Sequence, residues 1–382
     1  WLLLHAHLQI FGFFGTLIMG VAQHLLPRFT GRPVSRDRFL LAILGLQAAG
    51  LGLRIIGTAA GLGALILLAS LLQTVAFLLF AGWVWRMLDP APLAFLRRHL
   101  TLSTAWLAGA CALEAWLRAG ALASDRPLPA LAGLHVAHTM GLFGGVLGWV
   151  LGVLLRAGPM FVPRWRAPVR AARALPWLQA LGLGIAASGE ASAWSVETAT
   201  ALARLGELVI LAGAAALMLL GGVLTRAREA LPLVARSPEE SRIFRLAMLA
   251  GGGAVIGSAV TVAVAGAGLD VRVLGDAVRH LITVGVLTSV VVAMVFRLVP
   301  VLEGRRLRWP RLRRVALWSL TVAIIVRSAE LLVGLGWASV ASWIPLSGVL
   351  VWLAVACPAV NLMASISARA CGVAWSAQEG RR

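Results

Sequence analysis

Long apolar runs separated by short basic loops make up almost the whole chain. Eleven runs reach the length of a membrane span: 2–25, 39–58, 63–86, 99–119, 133–157, 175–194, 199–224, 243–266, 278–300, 314–336 and 343–368. An α-helix rises about 1.5 Å per residue, so some 20 apolar residues cross the ~30 Å hydrocarbon core of a bilayer. The pattern therefore predicts an all-α integral membrane protein with eleven transmembrane helices.

The runs are organised by a repeat. The opening stretch, WLLLHAHLQIFGFFGTLIMGVAQHLLPRF, carries His5 and His7 at its head and ends on His24 and Pro27. From His138 the chain reads HTMGLFGGVLGWVLGVLLRAGPMF, and from His280 it reads HLITVGVLTSVVVAMVFRLVPVLEGR. The prolines recur at 27, 159 and 300, and the histidine of the middle copy fits with a one-residue slip. Such periodicity dictates architecture before any local argument does. One transmembrane domain, 1–382, is expected, built from three pseudo-symmetric units over 1–120, 133–266 and 278–368. The third unit has three runs where the others have four. A further helix before Trp1 would complete a twelve-span plan, and the start on Trp1 reads as a truncated N-terminus.

Composition narrows the class. Hydrophobic residues are 60%, charged residues 13%, and the mean hydropathy is +0.90, which excludes an ordinary soluble globule. The net charge of +19 raises nucleic acid as a partner, but the arginines sit in short loops between apolar runs. Loops after the first and third run of each unit, with the C-terminus, hold 25 of the 34 basic residues. By the positive-inside rule these loops are cytoplasmic, the lipid bilayer is the partner and nucleic acid is not. The three cysteines are scattered and form no disulfide framework. Tryptophans such as Trp83, Trp85, Trp194 and Trp337 fall near run ends, as an interfacial belt does. Gly141, Gly145, Gly148 and Gly152 recur at helical spacing and predict a face for close helix packing.

This orientation puts His5, His7, His135, His138 and His280 at the outer ends of their helices, with Arg54, Glu114, Glu190, Glu207, Arg327 and Glu330 at similar depth. Ionisable groups inside a membrane are expensive and mark function by default. Arg54 and Arg327 each lie 27 residues past their unit's proline, where the middle unit has Ala186. Imidazole ligates both haem iron and copper. His135 and His138 share a helical face, whereas His5 and His7 point apart. The bland reading makes a single histidine an interfacial side chain and the charges structural ion pairs, Arg327 with Glu330 among them. One histidine at the head of each repeat favours ligation.

HAHLQIFGF, LLRAGPMF and HLITVGVLTSVVVAMVFR, with their HxHxxxFGF and HxxTVG patterns, resemble the NnrS family over nearly the whole chain. These are bacterial inner-membrane proteins linked to nitric oxide that bind haem and copper. The resemblance implies b-type haem and copper near the periplasmic side, and a redox partner or respiratory-complex subunits as partners. After Arg297 this chain reads LVPVLEGR where the family has a Gly-His-Thr-Gly-Arg ending.

The family in turn resembles haem–copper oxidase subunit I, with its three four-helix units. By that analogy His7 and His280 are haem ligands and His138 a copper ligand, with His135 and His5 as further metal donors. Arg54 and Arg327 anchor haem propionates, and Glu114, Glu190 and Glu330 set the local field. The chain lacks the oxidases' histidine pair on 175–194 and has no tyrosine, so oxygen reduction is not expected. A cofactor-free transporter or channel, an accessory subunit of a respiratory complex, and an oxidoreductase are the rival classes. A colourless protein favours the first, and stoichiometric co-purification the second.

Overall fold

A computed structural model of the chain describes residues 1–31, 38–89, 94–126, 128–162, 165–166, 168–189, 195–224, 238–303, 307–334 and 337–370. Among these the fold is all α, and ten helices are long and apolar enough to cross a membrane. They are α1 (Leu2–Phe29), α2 (Arg38–Ala59), α3 (Gly63–Met87), α4 (Ala94–Ala123), α5 (Leu131–Met160), α7 (Val196–Leu220), α8 (Pro238–Gly266), α9 (Arg272–Leu298), α10 (Leu312–Val333) and α11 (Ser339–Ala364). The sixth apolar run forms α6 (Val169–Gly189), which includes Arg170, Arg173 and Pro176 and is not among the ten.

The helices end where their sequences stop supplying internal partners. At the end of α2, Gly61 takes φ +69° and the Leu62 N–H reaches back to the Gly57 carbonyl at 2.8 Å. Gly268 does the same after α8, at φ +74°, with Leu269 N–H on the Val264 carbonyl. Both are left-handed caps that a side chain would strain.

The chain forms two compact units. The first holds residues 1–159, 164–225 and 258–269; the second holds 160–163, 226–257 and 270–382. In the first unit α5 is the centre, with 89% of its apolar window buried. Its glycines let α4 lie directly against it. A Cβ on Gly145 would stand 2.5 Å from Leu107, one on Gly152 2.5 Å from Leu100, and one on Gly148 would overlap the Ser103 hydroxyl. Gly141 faces the Phe11 ring of α1 in the same way, at 2.7 Å. Glycine here exchanges side-chain volume for close helix approach. Helices α6 and α7 cross through Gly182 and Gly206, where a Cβ on Gly206 would meet the Gly182 carbonyl. Phe80 stacks between Trp83 and Trp149, so Trp83, 5% exposed, is a core residue and not part of an interfacial belt. Trp85 and Trp337 are exposed.

In the second unit α9 is the buried helix. Val284, Ala323 and Ile324 form its core, with Leu246, Leu281, Leu350 and Val351 packed around them. Glu240 of α8 pairs with Arg313 at 3.0 Å, and Asn361 of α11 accepts from the Trp309 N–H and donates to its carbonyl.

Candidate metal centre

Each of α1, α5 and α9 is interrupted within its α-helical length by a π segment. Residues Leu8–Gly15, Met140–Val146 and Leu281–Thr288 form π turns. The turns begin directly after His7, Thr139 and His280, the three positions that align when the prolines are superposed. His138 is thus the neighbour of the aligned residue, which accounts for the one-residue slip. A π turn is a residue-long insertion in an α-helix and is common at functional sites.

In the first unit five helices bring polar side chains together beside the α1 turn. His7 is fully buried at the foot of the turn. Its Nε2 is 2.9 Å from the Oε1 of Gln73 on α3. With the amide oxygen accepting, Nε2 carries the proton and Nδ1 keeps its lone pair. Nδ1 lies 3.1 Å from Oε2 of Glu114 on α4, outside hydrogen-bond geometry, so this buried nitrogen has no hydrogen-bond partner. Glu114 is gripped by Arg54 of α2 through two bonds of 2.6 and 3.0 Å, and by Arg118 one turn along at 3.0 Å. Arg54 also donates to the Ser70 hydroxyl at 2.6 Å. His138 of α5 completes the group, its ring 6.3 Å from that of His7 and edge-on to it. One donor atom each from His7, Glu114 and His138 all lie within 4.8 Å of one another. Two imidazoles and a carboxylate are a donor set for first-row transition metals, and the carboxylate's own partners fix its direction.

The donor chemistry, and an Nδ1 that faces the Glu114 carboxylate without a hydrogen bond, fit a metal. The arginines are otherwise occupied. Arg54 spends its terminal nitrogens on Glu114 and Ser70, so holding a propionate requires it to release them.

The middle copy is built differently. Ala186 stands at the Arg54 position, and a cavity of about 10 Å³ borders it, lined also by His135, Thr139, Met140 and Glu207. That is room for one water. The guanidinium comes from α7 instead, where Arg204 holds the buried Glu207 at 2.9 Å.

The second unit has its own cluster. His280 donates from Nδ1 to the Asp276 carbonyl at 2.7 Å, and Arg327 Nη2 approaches its Nε2 at 2.7 Å. Glu330 lies 3.4 Å from His280 Nδ1 and 3.3 Å from Arg327 Nε, so the Arg327–Glu330 ion pair forms. His7 and His280 belong to different units.

His5 is exposed, pointing away from the buried His7 as two residues on a helix must. His99 is buried and bonded to the Gly148 carbonyl at 2.8 Å, a packing role. Glu190 lies outside the described residues. Gln73, Ser70, Arg118 and Arg204 are the members that the sequence pattern did not single out. Arg118 and Arg204 each had a local signal, lying four residues after Glu114 and three before Glu207 on one helical face.

The family profile described as NnrS protein matches residues 1–369 of the chain. No curated protein matches it, and no solved structure does.

Proposed function

From the premise that the chain belongs to the NnrS family, we propose that it is a haem- and copper-binding multi-pass protein of the bacterial inner membrane, acting in the response to nitric oxide. One observation carries the metal half of this reading: His7, Glu114 and His138 converge from three helices on a common point. The link to nitric oxide and the haem come from the family resemblance. The arginine-rich loops face the cytoplasm by the positive-inside rule, which puts the histidine ends of α1, α5 and α9 toward the periplasm.

His7 and His138 supply the imidazole nitrogens of the first unit, and His280 supplies that of the second. A bound copper or haem iron would contribute reversible one-electron chemistry and an affinity for small diatomic ligands. The protein's own groups prepare the place. Gln73 fixes the His7 ring by holding Nε2, so that Nδ1 is the nitrogen presented. Arg54 and Arg118 hold the Glu114 carboxylate in place beside that nitrogen. Phe11 packs against the His7 ring, their centres 4.5 Å apart.

The test is an optical spectrum and a metal assay of detergent-purified protein from cells supplied with copper and a haem precursor. The wild type is expected to carry copper and a Soret band, with copper lost in both His7→Ala and His138→Ala. A colourless, copper-free wild type removes the reading in favour of a cofactor-free transporter. Copper retained in both variants removes the assigned ligands.

A further inference from the structure

Leaving a π turn and re-entering the α form costs a helix one hydrogen bond, because the ladder steps from i+5 back to i+4 and passes over a carbonyl. In α1 the bonds are α-type again at Thr16, to the Gly12 and Phe13 carbonyls, and the oxygen passed over is that of Phe11. In α5 the Leu147 N–H still reaches to Leu142, and the oxygen passed over is that of Phe143. A buried carbonyl needs a partner. The Phe11 oxygen receives the side-chain amide of Gln47 at 2.7 Å, and the Phe143 oxygen receives that of Gln179 at 3.1 Å.

The two contacts are the same contact. Gln47 and Gln179 are 132 residues apart (179 − 47), and so are Phe11 and Phe143 (143 − 11). Each glutamine sits on the helix after the one it braces and is almost wholly buried, at 0 and 1% exposure. In α9 the aligned carbonyl, Val284, is met from within its own helix by the Ser289 hydroxyl at 3.4 Å, and the aligned glutamine position is Leu320.

We propose that Gln47 and Gln179 are positioning residues that lock the π turns of α1 and α5 and thereby set the rotation of His7 and His138. A π turn holds one residue more than the α turns around it, and converting it to α rotates the segment on its N-terminal side by about 100°. Four residues separate His7 from Phe11 and five separate His138 from Phe143. Each histidine lies on the N-terminal side, so conversion swings it off the Glu114 direction. The bond from the neighbouring helix is available only in the π form, which holds the turn in that form. This rests on the metal reading for its use, but its test does not.

The experiment reads helix rotation in metal-free protein by thiol labelling. Cysteine is placed at position 7 or 138 (His7→Cys, His138→Cys), and modification by N-ethylmaleimide is followed by mass spectrometry of that peptide. Gln47→Met keeps side-chain length and removes the donor. It is expected to raise labelling at position 7 about tenfold, the factor one lost buried hydrogen bond gives, and to leave position 138 unchanged. Gln179→Met is expected to do the converse. Unchanged labelling in both cases overturns the proposal. So does an equal rise at both positions, which reports general loosening. Should Gln47→Met fail to fold, Gln47→His, which retains a donor, is expected to fold and to keep position 7 protected. Failure of both variants to fold assigns Gln47 to stability alone and also overturns it. Copper content plays no part, so the ligand assignment can fail while this stands.

Discussion

Arg54 grips Glu114 with two hydrogen bonds across 60 residues of chain, and the pair is 2–3% exposed. Removing one partner of a buried pair strands the other charge, at about 3–5 kcal/mol. Glu114→Leu is expected to lower thermal stability in detergent by that order, and Arg54→Met by less, because Arg118 still holds Glu114. Glu114→Leu is the worse, because it strands Arg118 as well. The double variant is expected to lose less than the sum of the two, and a thermal-shift double-mutant cycle reads the difference. Additive losses would show that the pair is not coupled.

The two histidines of the opening HxH behave oppositely. His7 is buried in the cluster while His5 is exposed on the far side of the helix. Copper content measured per chain is therefore expected to fall in His7→Ala and to stay at the wild-type value in His5→Ala.

The glycines of α5 divide from those that face open space. Gly145→Ala sets a methyl 2.5 Å from Leu107, whereas the same change at Gly45 or Gly184 meets no atom within 4 Å. Overpacking of this kind costs about 1–3 kcal/mol. Gly145→Ala is expected to unfold at lower temperature than wild type, and Gly45→Ala and Gly184→Ala at an unchanged or higher one, since alanine favours the helix.

The unit-2 cluster gives a separate outcome. Arg327→Gln removes the guanidinium that crowds His280 Nε2 and unpairs Glu330. The Soret band is expected to shift or weaken, with copper content held. A spectrum identical to wild type would mean that His280 takes no part in haem binding.

The helices could be read from the chain, because hydropathy over twenty residues is a strong signal. Glu114, Arg54, Arg327 and Glu330 stood out because charge in an apolar run is rare. The π turns could not be read: one extra residue in a run that is apolar on all sides leaves the hydrophobic pattern unchanged. Gln73 and Gln47 were equally silent, since an uncharged amide in an apolar helix acquires meaning only through a partner 66 or 36 residues away. Arg204 was overlooked, although it lies three residues before Glu207, because the 27-residue interval that links Arg54 to Arg327 falls on Ala186 of α6.

Two guanidiniums share a single carboxylate at Glu114. With neutral imidazoles, the five residues His7, Arg54, Glu114, Arg118 and His138 sum to one surplus positive charge, in surroundings too apolar to dilute it. A bare cation entering there deepens the imbalance, so its uptake is favoured when a counter-anion accompanies it. On the proposed reading, what the cluster takes up is in effect a salt.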